Sequence, residues 1–521
     1  MTRKTFSRFS DSMSALNIEP PAQDEALRQE ACAKCRTAPE LSTDSYSTPF
    51  INFLAENPTI FHTVSHFSDR LTSAGFTKLS ERDLWTDKLE KGGKYFVNRN
   101  GSSLIAFVVG KNYKAGNGAG IVAGHIDALT AKLKPIPTLT SKAGFAMLGV
   151  APYAGALNST WWDRDLGVGG RVLVKDEDSG KIVTKLVKLG WPIARIPTLA
   201  PHFGAAAAGP FNKETQMVPI IGLDQDDSSA AAEGHSGQGS SVLGGAGTFA
   251  ATQPPKLVKA IASELGIKNY STIVNWELEL FDTQPGQLGG LEQEFIFAGR
   301  IDDKLCSYSA LEGLIESSSS SSSHGGSRSS DSGIVKAVCL YDDEEIGSEL
   351  RQGARGNSLN VVMQNICEAF SKGSYGPNVL SQTYANSFLI SADVTHAVNP
   401  NFLGSYLENH APRLNTGVVV QADSNGHMTT DAVSTAILQR VAEKSGSKLQ
   451  VFQIRNDSRS GGTVGPAISS ATGIRAIDAG LPQLSMHSIR ATTGSQDPGI
   501  GVKLYKGFFD HYEEVDQEFT S

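Results

Sequence analysis

The alternation of apolar and polar residues predicts an α/β protein from about residue 48 onward. Apolar residues recur at helical spacing between Phe50 and Leu71, whereas residues 103–110 and 120–124 are continuous apolar runs typical of buried strands. Further strand-like runs alternate with helical patterns, namely EFIFAGR, GIVKAVCLY, NSFLISADV, TGVVVQAD and LQVFQIRND. This alternation, with nearly continuous apolar strands, indicates a largely parallel sheet covered by helices on both faces.

A change of composition separates residues 131–288 from the rest of the chain. This segment is rich in proline, glycine and alanine, and it contains the strand-like runs GGRVLVKD and GKIVTKLVKL. We therefore expect a mostly β domain inserted into the α/β domain, which then comprises residues 47–130 and 289–521. Two stretches of small polar residues, 224–255 and 317–332, are expected to be surface loops because they cannot bury enough apolar area to order themselves.

Composition and charge argue against several classes of protein. The chain has 46 Lys and Arg against 54 Asp and Glu, a net charge of −8, and no long basic run that would neutralise nucleic-acid phosphates. No stretch of about 18 uncharged apolar residues predicts a membrane span, and the first residues lack the apolar core of a secretory signal. Five cysteines indicate a reducing, intracellular compartment. Cys32 and Cys35 form a Cys-x-x-Cys pair without a second pair at zinc-ribbon spacing.

The N-terminal segment, residues 1–46, differs from the rest in being polar and interrupted by prolines. Phe6, Phe9, Met13 and Leu16 follow one another at intervals of three or four residues, which places them on one face of a short amphipathic helix. The alternative interpretation is a frayed terminus.

Histidines and acids follow the apolar runs at several points. The ligand-type residues in these positions are His125 with Asp127, Asp302 with Asp303, Glu344 with Glu345, Asp393, and His487. In open α/β sheets, ligands bind beyond the carboxyl ends of the strands, so we expect these side chains to share one crevice.

The residue types in this set suit a pair of metal ions. Two divalent cations about 3.5–4 Å apart need a bridging carboxylate and terminal ligands, and together they activate a water molecule. Imidazole and carboxylate donors without thiolates favour zinc, with cobalt or manganese as replacements. A neighbouring acid that binds no metal is needed to take the proton of that water. His125 with Asp127 offers a ligand and its orienting acid, and Glu344 with Glu345 offers a base beside a ligand.

Some neighbouring residues are left outside the predicted site. Asp342 and Asp343 are interpreted as strand-end residues or as neighbours of the ligands, and His396 has no matching partner in the sequence. The run SRSGGTVGPA at 458–467 lacks the Lys-Ser/Thr of a phosphate-binding loop, so we expect a flexible loop that lines the site.

Seven ordered motifs resemble the dinuclear-zinc aminopeptidases, the family of fungal vacuolar aminopeptidase I and aspartyl aminopeptidase. The motifs are GHIDA, WWDRDLGVGGRV, GRIDDK, YDDEEIGSE, SADVTHAVNPN, FQIRNDSRSGGTVGP and QLSMHSIRATTGS. The resemblance runs from about residue 48 to the C-terminus, and the Ser-rich stretch and the loop at 225–255 depart from it as insertions. It implies a metallopeptidase domain with a largely parallel sheet and an inserted, mostly β dimerisation domain.

The resemblance also implies roles for single residues. The family pattern makes five residues the metal ligands, namely His125, Asp302, Glu345, Asp393 and His487. Asp302 would bridge two zinc ions in each subunit, Glu344 would act as general base or acid, and Asp127 would orient His125. His202, in the inserted segment, would reach the substrate in the active site of a neighbouring subunit.

Members of this family assemble as dodecamers, so the resemblance implies a homo-oligomer that acts on peptides. It also implies that residues 1–46 are a propeptide, read by an autophagy receptor and removed in the vacuole, which the protein would reach from the cytoplasm without a signal peptide. The alternative is a cytoplasmic enzyme with a disordered leader.

The sequence favours neutral, leucine-type N-terminal residues as substrates. Residues 424–427 contain no lysine or arginine, where we expect an aspartyl aminopeptidase to place a cation for the substrate carboxylate. An aspartyl aminopeptidase remains the first alternative, and a zinc deacetylase or carboxypeptidase shares the ligand set. An inactive relative acting as autophagy cargo or scaffold is the alternative of another class, although the intact Glu344 beside Glu345 argues for an enzyme.

Overall fold

The computed structural model describes residues 42–224, 243–319, 331–371, 373 and 375–519. Its α-helices are α1 (Ser47–Glu56), α2 (Ile60–Ser73), α3 (Pro255–Glu264), α4 (Ile301–Ser319), α5 (Ser358–Phe370), α6 (Pro377–Ala385), α7 (Ala432–Ser445), α8 (Val464–Thr472) and α9 (Asp497–Asp516). Its first ten strands are β1 (Thr77–Lys78), β2 (Lys94–Arg99), β3 (Ser103–Val109), β4 (Ala119–His125), β5 (Thr130–Thr138), β6 (Phe145–Tyr153), β7 (Leu166–Lys175), β8 (Ile182–Ala194), β9 (Ile220–Leu223) and β10 (Ile273–Asp282). The later strands are β11 (Gln287–Gly289), β12 (Phe295–Ala298), β13 (Val335–Tyr341), β14 (Phe388–Ser391), β15 (Thr395–His396), β16 (Val418–Ala422), β17 (Leu449–Gln453), β18 (Arg475–Gly480), β19 (Pro482–Gln483) and β20 (Ala491–Gly494).

Within the described residues, nine strands form the main sheet in the order β1-β2-β3-β13-β4-β14-β18-β16-β17. The central strands β13, β4, β14 and β18 are parallel to one another. All residues of β4, β13 and β14 are buried, as the continuous apolar runs predict. The predicted α/β class with a largely parallel sheet is confirmed.

Apolar cores lie on both faces of this sheet. Val122 of β4 belongs to a cluster with residues of α1, α2, α4, α7 and α9, whereas its neighbour Ile121 belongs to a cluster with residues of α5 and α8. Successive residues of a strand point to opposite faces, so helices cover both sides of β4.

The run EFIFAGR forms a strand, but not in the main sheet. Strand β12 pairs antiparallel with β11 and β20 in a small three-stranded sheet. Its side chains alternate between buried and more exposed positions, which suits a sheet with only one covered face. The later run LPQLSM contributes only the two-residue strand β19, which pairs with β15.

Strands β5 to β10 form a second sheet in the order β8-β7-β10-β5-β6-β9, with every pairing antiparallel. It has an apolar core of its own, which includes Val168, Leu189 and Leu278. These strands lie between β4 and β11 in the sequence. The assignment of residues 131–288 to an inserted domain stays a prediction.

The two expected loops are shorter than predicted where the structure describes them. Helix α4 continues to Ser319, three residues into the Ser-rich stretch, and helix α3 begins at Pro255. Residues 320–330 and 225–242 of the two stretches lie outside the described residues.

The N-terminal predictions also fall outside the described residues. This concerns the apolar stripe of Phe6, Phe9, Met13 and Leu16 and the Cys32–Cys35 pair. In the part of the chain that the structure describes, no helix combines the length and the hydropathy that a membrane crossing requires.

Candidate metal centre

Three of the five predicted ligands, together with Glu344, lie at the ends of three parallel strands. His125 is the last residue of β4, and Asp393 follows β14 by two residues. Glu344 and Glu345 lie on a single 3-10 turn, Glu344–Ile346, that follows β13. Because β13, β4 and β14 are adjacent and parallel, their carboxyl ends meet at one edge of the sheet.

The other two predicted ligands arrive from outside the main sheet. Asp302 lies at the start of α4 with non-helical backbone angles (φ −77°, ψ 121°), between β12 of the small sheet and the regular helix. His487 lies in a loop after β19 and has a left-handed backbone with φ 63°. The side chain of Asn158, between β6 and β7, donates to the His487 carbonyl at 2.8 Å.

The five predicted ligands form two groups that share Asp302. In the first group, His125 Nε2 lies 3.3 Å from Asp302 Oδ1 and 3.8 Å from Asp393 Oδ1. In the second, His487 Nε2 lies 3.6 Å from Asp302 Oδ2 and 3.5 Å from Glu345 Oε2. The structure therefore brings together all five residues, although two of them do not come from strand ends of the main sheet.

Two further acids border the first group. Glu344 Oε2 lies 3.8 Å from His125 Nε2. Asp303 is fully buried, and its Oδ2 accepts from the His125 backbone amide at 3.4 Å. Its carboxylate also lies close enough to His125 and Asp393 to share a metal with them.

The acids of this cluster oppose one another's ionisation. Burial raises the pKa of Glu344 to about 7, with Asp127 and Asp302 adding to the shift and His125 opposing it. Burial, reinforced by the neighbouring acids, also raises the pKa of Glu345 and of Asp393 well above the usual carboxyl range. Crowded carboxylates of this kind need a compensating positive charge.

The donor set fits zinc. It combines imidazole nitrogens with carboxylate oxygens, which are common zinc ligands in proteins. Glu345 Oε1 is buried and has no hydrogen-bond partner among the described residues, so a donor atom is left for a cation.

The Asp127 carboxylate connects His125 to the turn that carries Glu344 and Glu345. Its Oδ1 lies 3.1 Å from His125 Nδ1 and accepts from the Glu344 amide at 3.2 Å. Its Oδ2 accepts from the Glu345 amide at 3.1 Å and from the Tyr153 hydroxyl at 2.7 Å. Burial opposes ionisation, but the bonds from His125 and Tyr153 lower the pKa of Asp127. An ionised Asp127 accepts a hydrogen bond from His125 Nδ1–H, which keeps the proton on Nδ1 and leaves Nε2 free to bind a metal.

A cavity of about 270 Å3 opens beside the predicted ligands. Ser460–Thr463 line it, together with Met428, Phe452, Ile454 and Met486. The loop expected at 458–467 is shorter than predicted, because α8 begins at Val464. The described residues of its wall include no lysine or arginine.

Two cavity residues were not anticipated from the sequence. His396 lines the wall, with its ring centroid 5.6 Å from that of Phe452. Asp423 lines it as well, and hydrogen bonds from Ser460 and the Asn425 amide outweigh burial and lower its pKa. Asp423 directly follows β16, and His396 ends the two-residue strand β15, five positions after β14. Their positions near strand ends could have indicated the site.

His202 is exposed in the single chain. It lies on the short 3-10 segment Pro201–Ala207, and its ring stacks on Phe203. The described lining of the cavity beside the ligands does not include it.

A family model described as aminopeptidase I zinc metalloprotease (M18) matches residues 53–509. The chain belongs to the M18 family of zinc aminopeptidases. This confirms the predicted family, the predicted enzyme class and zinc as the family's metal.

Both branches of the M18 family are represented among its relatives. The chain is 42% identical to vacuolar aminopeptidase 1 of Saccharomyces cerevisiae over 523 residues, which cover 99% of each chain. It is 39% identical to the aspartyl aminopeptidase of Aspergillus oryzae over 484 residues, which cover 89% of this chain and 96% of the relative.

Solved structures of M18 proteins share the fold. Chaetomium thermophilum mApe1 superimposes with a TM-score of 0.82 at 53% identity, covering 92% of this chain and all of that one. A dodecamer of S. cerevisiae mApe1 gives a TM-score of 0.78 at 40% identity, and the match covers 92% of this chain and 99% of that one. Ape4 in its complex with Nbr1 gives a TM-score of 0.83 at 36% identity, and the match covers 92% of this chain and 88% of that one.

Proposed function

We propose that this M18 aminopeptidase releases neutral N-terminal residues from peptides with the help of two zinc ions. The cavity beside the predicted ligands carries the proposal for the substrate. Met428, Phe452, Ile454 and Met486 offer an apolar surface to a substrate side chain, and the described wall has no cation for a substrate carboxylate. The ionised Asp423 in the same wall would repel N-terminal Asp or Glu.

The proposal for the metals rests on the two ligand groups. His125, Asp302 and Asp393 would hold one zinc ion, and His487, Asp302 and Glu345 the other. When bound, the zinc ions would polarise the scissile carbonyl and lower the pKa of a water molecule, so that the water could lose a proton and attack near neutral pH.

Glu344 is the residue that moves the proton in this proposal. Its carboxylate borders the first ligand group without belonging to it, which is the position that a carrier of the water's proton needs. It would take the proton from the attacking water and deliver it to the departing amine. Asp127 would hold His125 in the tautomer that leaves Nε2 free to bind metal.

An assay of aminoacyl-nitroanilides tests the proposed specificity. The zinc-loaded protein should cleave the leucine derivative with a much larger kcat/KM than the aspartate derivative, and N-acetyl-leucine nitroanilide should resist cleavage. A preference for the aspartate derivative would support the aspartyl alternative. Cleavage of the acetylated derivative would contradict an aminopeptidase.

We further propose that the subunits form a homododecamer in which the segment 131–288 dimerises and His202 acts on a neighbouring subunit's substrate. Two observations support this. The solved S. cerevisiae mApe1 structure is a dodecamer, and His202 is exposed and is not among the described residues that line the cavity of its own chain.

For the leader, residues 1–46, we propose vacuolar delivery from the cytoplasm through an autophagy receptor. The match to vacuolar aminopeptidase 1 covers 99% of both chains and therefore extends into the leader. Another M18 protein, Ape4, forms a complex with Nbr1.

Charge placed on the apolar stripe tests the leader. Phe9→Asp with Met13→Asp should leave peptidase activity intact but keep the full-length protein in the cytoplasm. Ser7→Asp with Ala15→Asp adds the same charge on the other face of the predicted helix and should leave delivery normal. Vacuolar delivery of the first double variant would contradict the targeting role.

A further inference from the structure

The Asp127 carboxylate joins three segments that are far apart in the sequence. Its Oδ1 accepts hydrogen bonds from His125 Nδ1, at the end of β4, and from the Glu344 amide, in the turn after β13. Its Oδ2 accepts hydrogen bonds from the Glu345 amide of the same turn at 3.1 Å and from the Tyr153 hydroxyl at 2.7 Å. The shortest of these four contacts is therefore the one from Tyr153.

Tyr153 belongs to the second sheet rather than to the main sheet. It is the last residue of β6 and pairs with Thr130 at the start of β5, which places it beside the segment that connects β4 to β5. The side chain is buried, and Lys132 Nζ lies 3.9 Å from the centroid of its ring. The ring is thus held from the second sheet while the hydroxyl reaches the metal centre.

The hydroxyl has one proton to donate and two acids within reach. The hydroxyl oxygen lies 2.7 Å from Asp127 Oδ2 and 3.3 Å from Asp343 Oδ1, so the hydroxyl donates its hydrogen bond to Asp127. Without that donor, Oδ2 would keep only the 3.1 Å contact to the Glu345 amide. The terminal torsion of an aspartate is soft, so the carboxylate would rotate more freely. Both His125 and the Glu344–Glu345 turn would lose a fixed partner.

We propose that Tyr153 is a positioning residue of the metal centre, through which the second sheet fixes the Asp127 carboxylate and with it His125 and the Glu344–Glu345 turn. The inference rests on the proposed function, because it takes His125 as a zinc ligand and Glu344 as the proton carrier. Tyr153 does not touch the substrate in this arrangement, so its effect is on zinc binding and on kcat rather than on KM.

Tyr153→Phe in the full-length chain tests this role, because it removes the hydroxyl and keeps the ring. Zinc affinity, measured by competition with a chromogenic chelator, should fall about 10- to 100-fold, the range typical of residues that orient metal ligands. At saturating zinc, kcat for leucine nitroanilide should fall while KM stays within about twofold. Thermal unfolding by circular dichroism checks that the variant is folded.

Tyr95→Phe is the matched control. The Tyr95 hydroxyl is also in a buried side chain and accepts from the Glu90 amide at 2.8 Å, but it lies outside the Asp127 network. This variant should keep the zinc affinity and kcat of the unaltered protein.

His125→Ala separates this inference from the proposed function. If His125→Ala loses zinc and Tyr153→Phe binds it with unaltered affinity and unaltered kcat, the role of Tyr153 is overturned and the metal centre stands. If His125→Ala also keeps its zinc, both the centre and the inference are overturned. A rise in KM with unaltered kcat and zinc affinity in Tyr153→Phe would place Tyr153 in substrate binding and would overturn the positioning role.

Discussion

At the scale of the residue, Glu344 and Glu345 are neighbours with the same side chain but different surroundings. The Glu344 carboxylate borders His125, and the Glu345 carboxylate borders His487. The side chain of Glu345 is also more deeply buried, with 5% exposed against 17% for Glu344. One single turn of 3-10 helix therefore presents two acids to two different parts of the centre.

This difference predicts opposite effects of the same substitution. Glu344→Gln should keep its zinc and lose about 10²–10⁴ in kcat, because an amide cannot carry the proton. Glu345→Gln should lose zinc, because an amide is a weaker ligand than a carboxylate. Metal analysis of the purified variants together with kcat decides between the two roles. Loss of zinc in Glu344→Gln alone would mean that the two roles are reversed.

The raised pKa values predict how zinc binding depends on pH. In the metal-free protein, burial and mutual repulsion raise the pKa of Glu345 and of Asp393 well above the usual range, so these acids bind protons where free carboxylates would not. Zinc must displace those protons. Zinc affinity should therefore fall as the pH is lowered through the range in which these acids bind protons, and rise again when the pH is restored. Chelator competition over this range measures the slope, and an affinity independent of pH would contradict the account.

Residue types and their spacing were enough to predict which side chains meet, but not how each is held. His125, Asp393 and the two glutamates follow buried parallel strands, so the hydrophobic pattern placed them at one edge. Asp302 and Asp303 stand side by side, and only the resemblance to a family distinguished them. Tyr153 was not predicted, because a tyrosine at the end of a strand has no pattern that reveals a hydrogen bond to Asp127, 26 residues earlier in the chain.

At the scale of the element, the loop that carries His487 depends on the segment between β6 and β7. Asn158 donates to the His487 carbonyl at 2.8 Å, and Thr160 Oγ1 accepts from the Ile489 amide at 3.0 Å. Asn158 also caps the short turn Ser159–Trp161 by accepting from the Thr160 amide. A connection beside the second sheet thus holds a predicted ligand of the centre in place.

Asn158→Ala should loosen this loop. We expect weaker zinc binding and a lower kcat at limiting zinc, because His487 adopts a left-handed backbone that its neighbours must maintain. Asn269→Ala is the matched control, since Asn269 caps the short turn Tyr270–Thr272 in the same way, through the Ser271 amide, away from the centre. If zinc titrations give the same affinity for both variants, the role of Asn158 in holding His487 is contradicted.

The sequence was a better guide to buried elements than to connections. Strands β3, β4 and β13 lie where their continuous apolar runs predicted them, because burial on both faces leaves a clear hydrophobic signal. The environment of β12 was harder to predict, because a four-residue apolar run does not indicate which sheet it joins. The loop of His487 has no hydrophobic periodicity at all, and its path is set by contacts with distant residues.

At the scale of the whole molecule, the proposed assembly predicts a size and a dependence of activity on association. Sedimentation should show a particle of several hundred kilodaltons, because twelve chains of 55.3 kDa are expected to associate. His202→Ala should lower activity without dissociating the particle. Mixing that variant with the inactive Glu344→Gln variant, under conditions that allow subunits to exchange, should restore part of the activity if His202 acts across subunits. A fully active monomer would contradict both expectations.

The spread of the ligands along the chain has a consequence for biosynthesis. His125 and His487 are 362 residues apart, yet both contact the same Asp302. A ribosome must therefore synthesise and release residue 487 before the second group of ligands is complete. Under the proposed two-zinc mechanism, the growing chain cannot hydrolyse peptides until that second group has formed. Under the proposed function, peptidase activity therefore begins as a single late event in the synthesis of the chain.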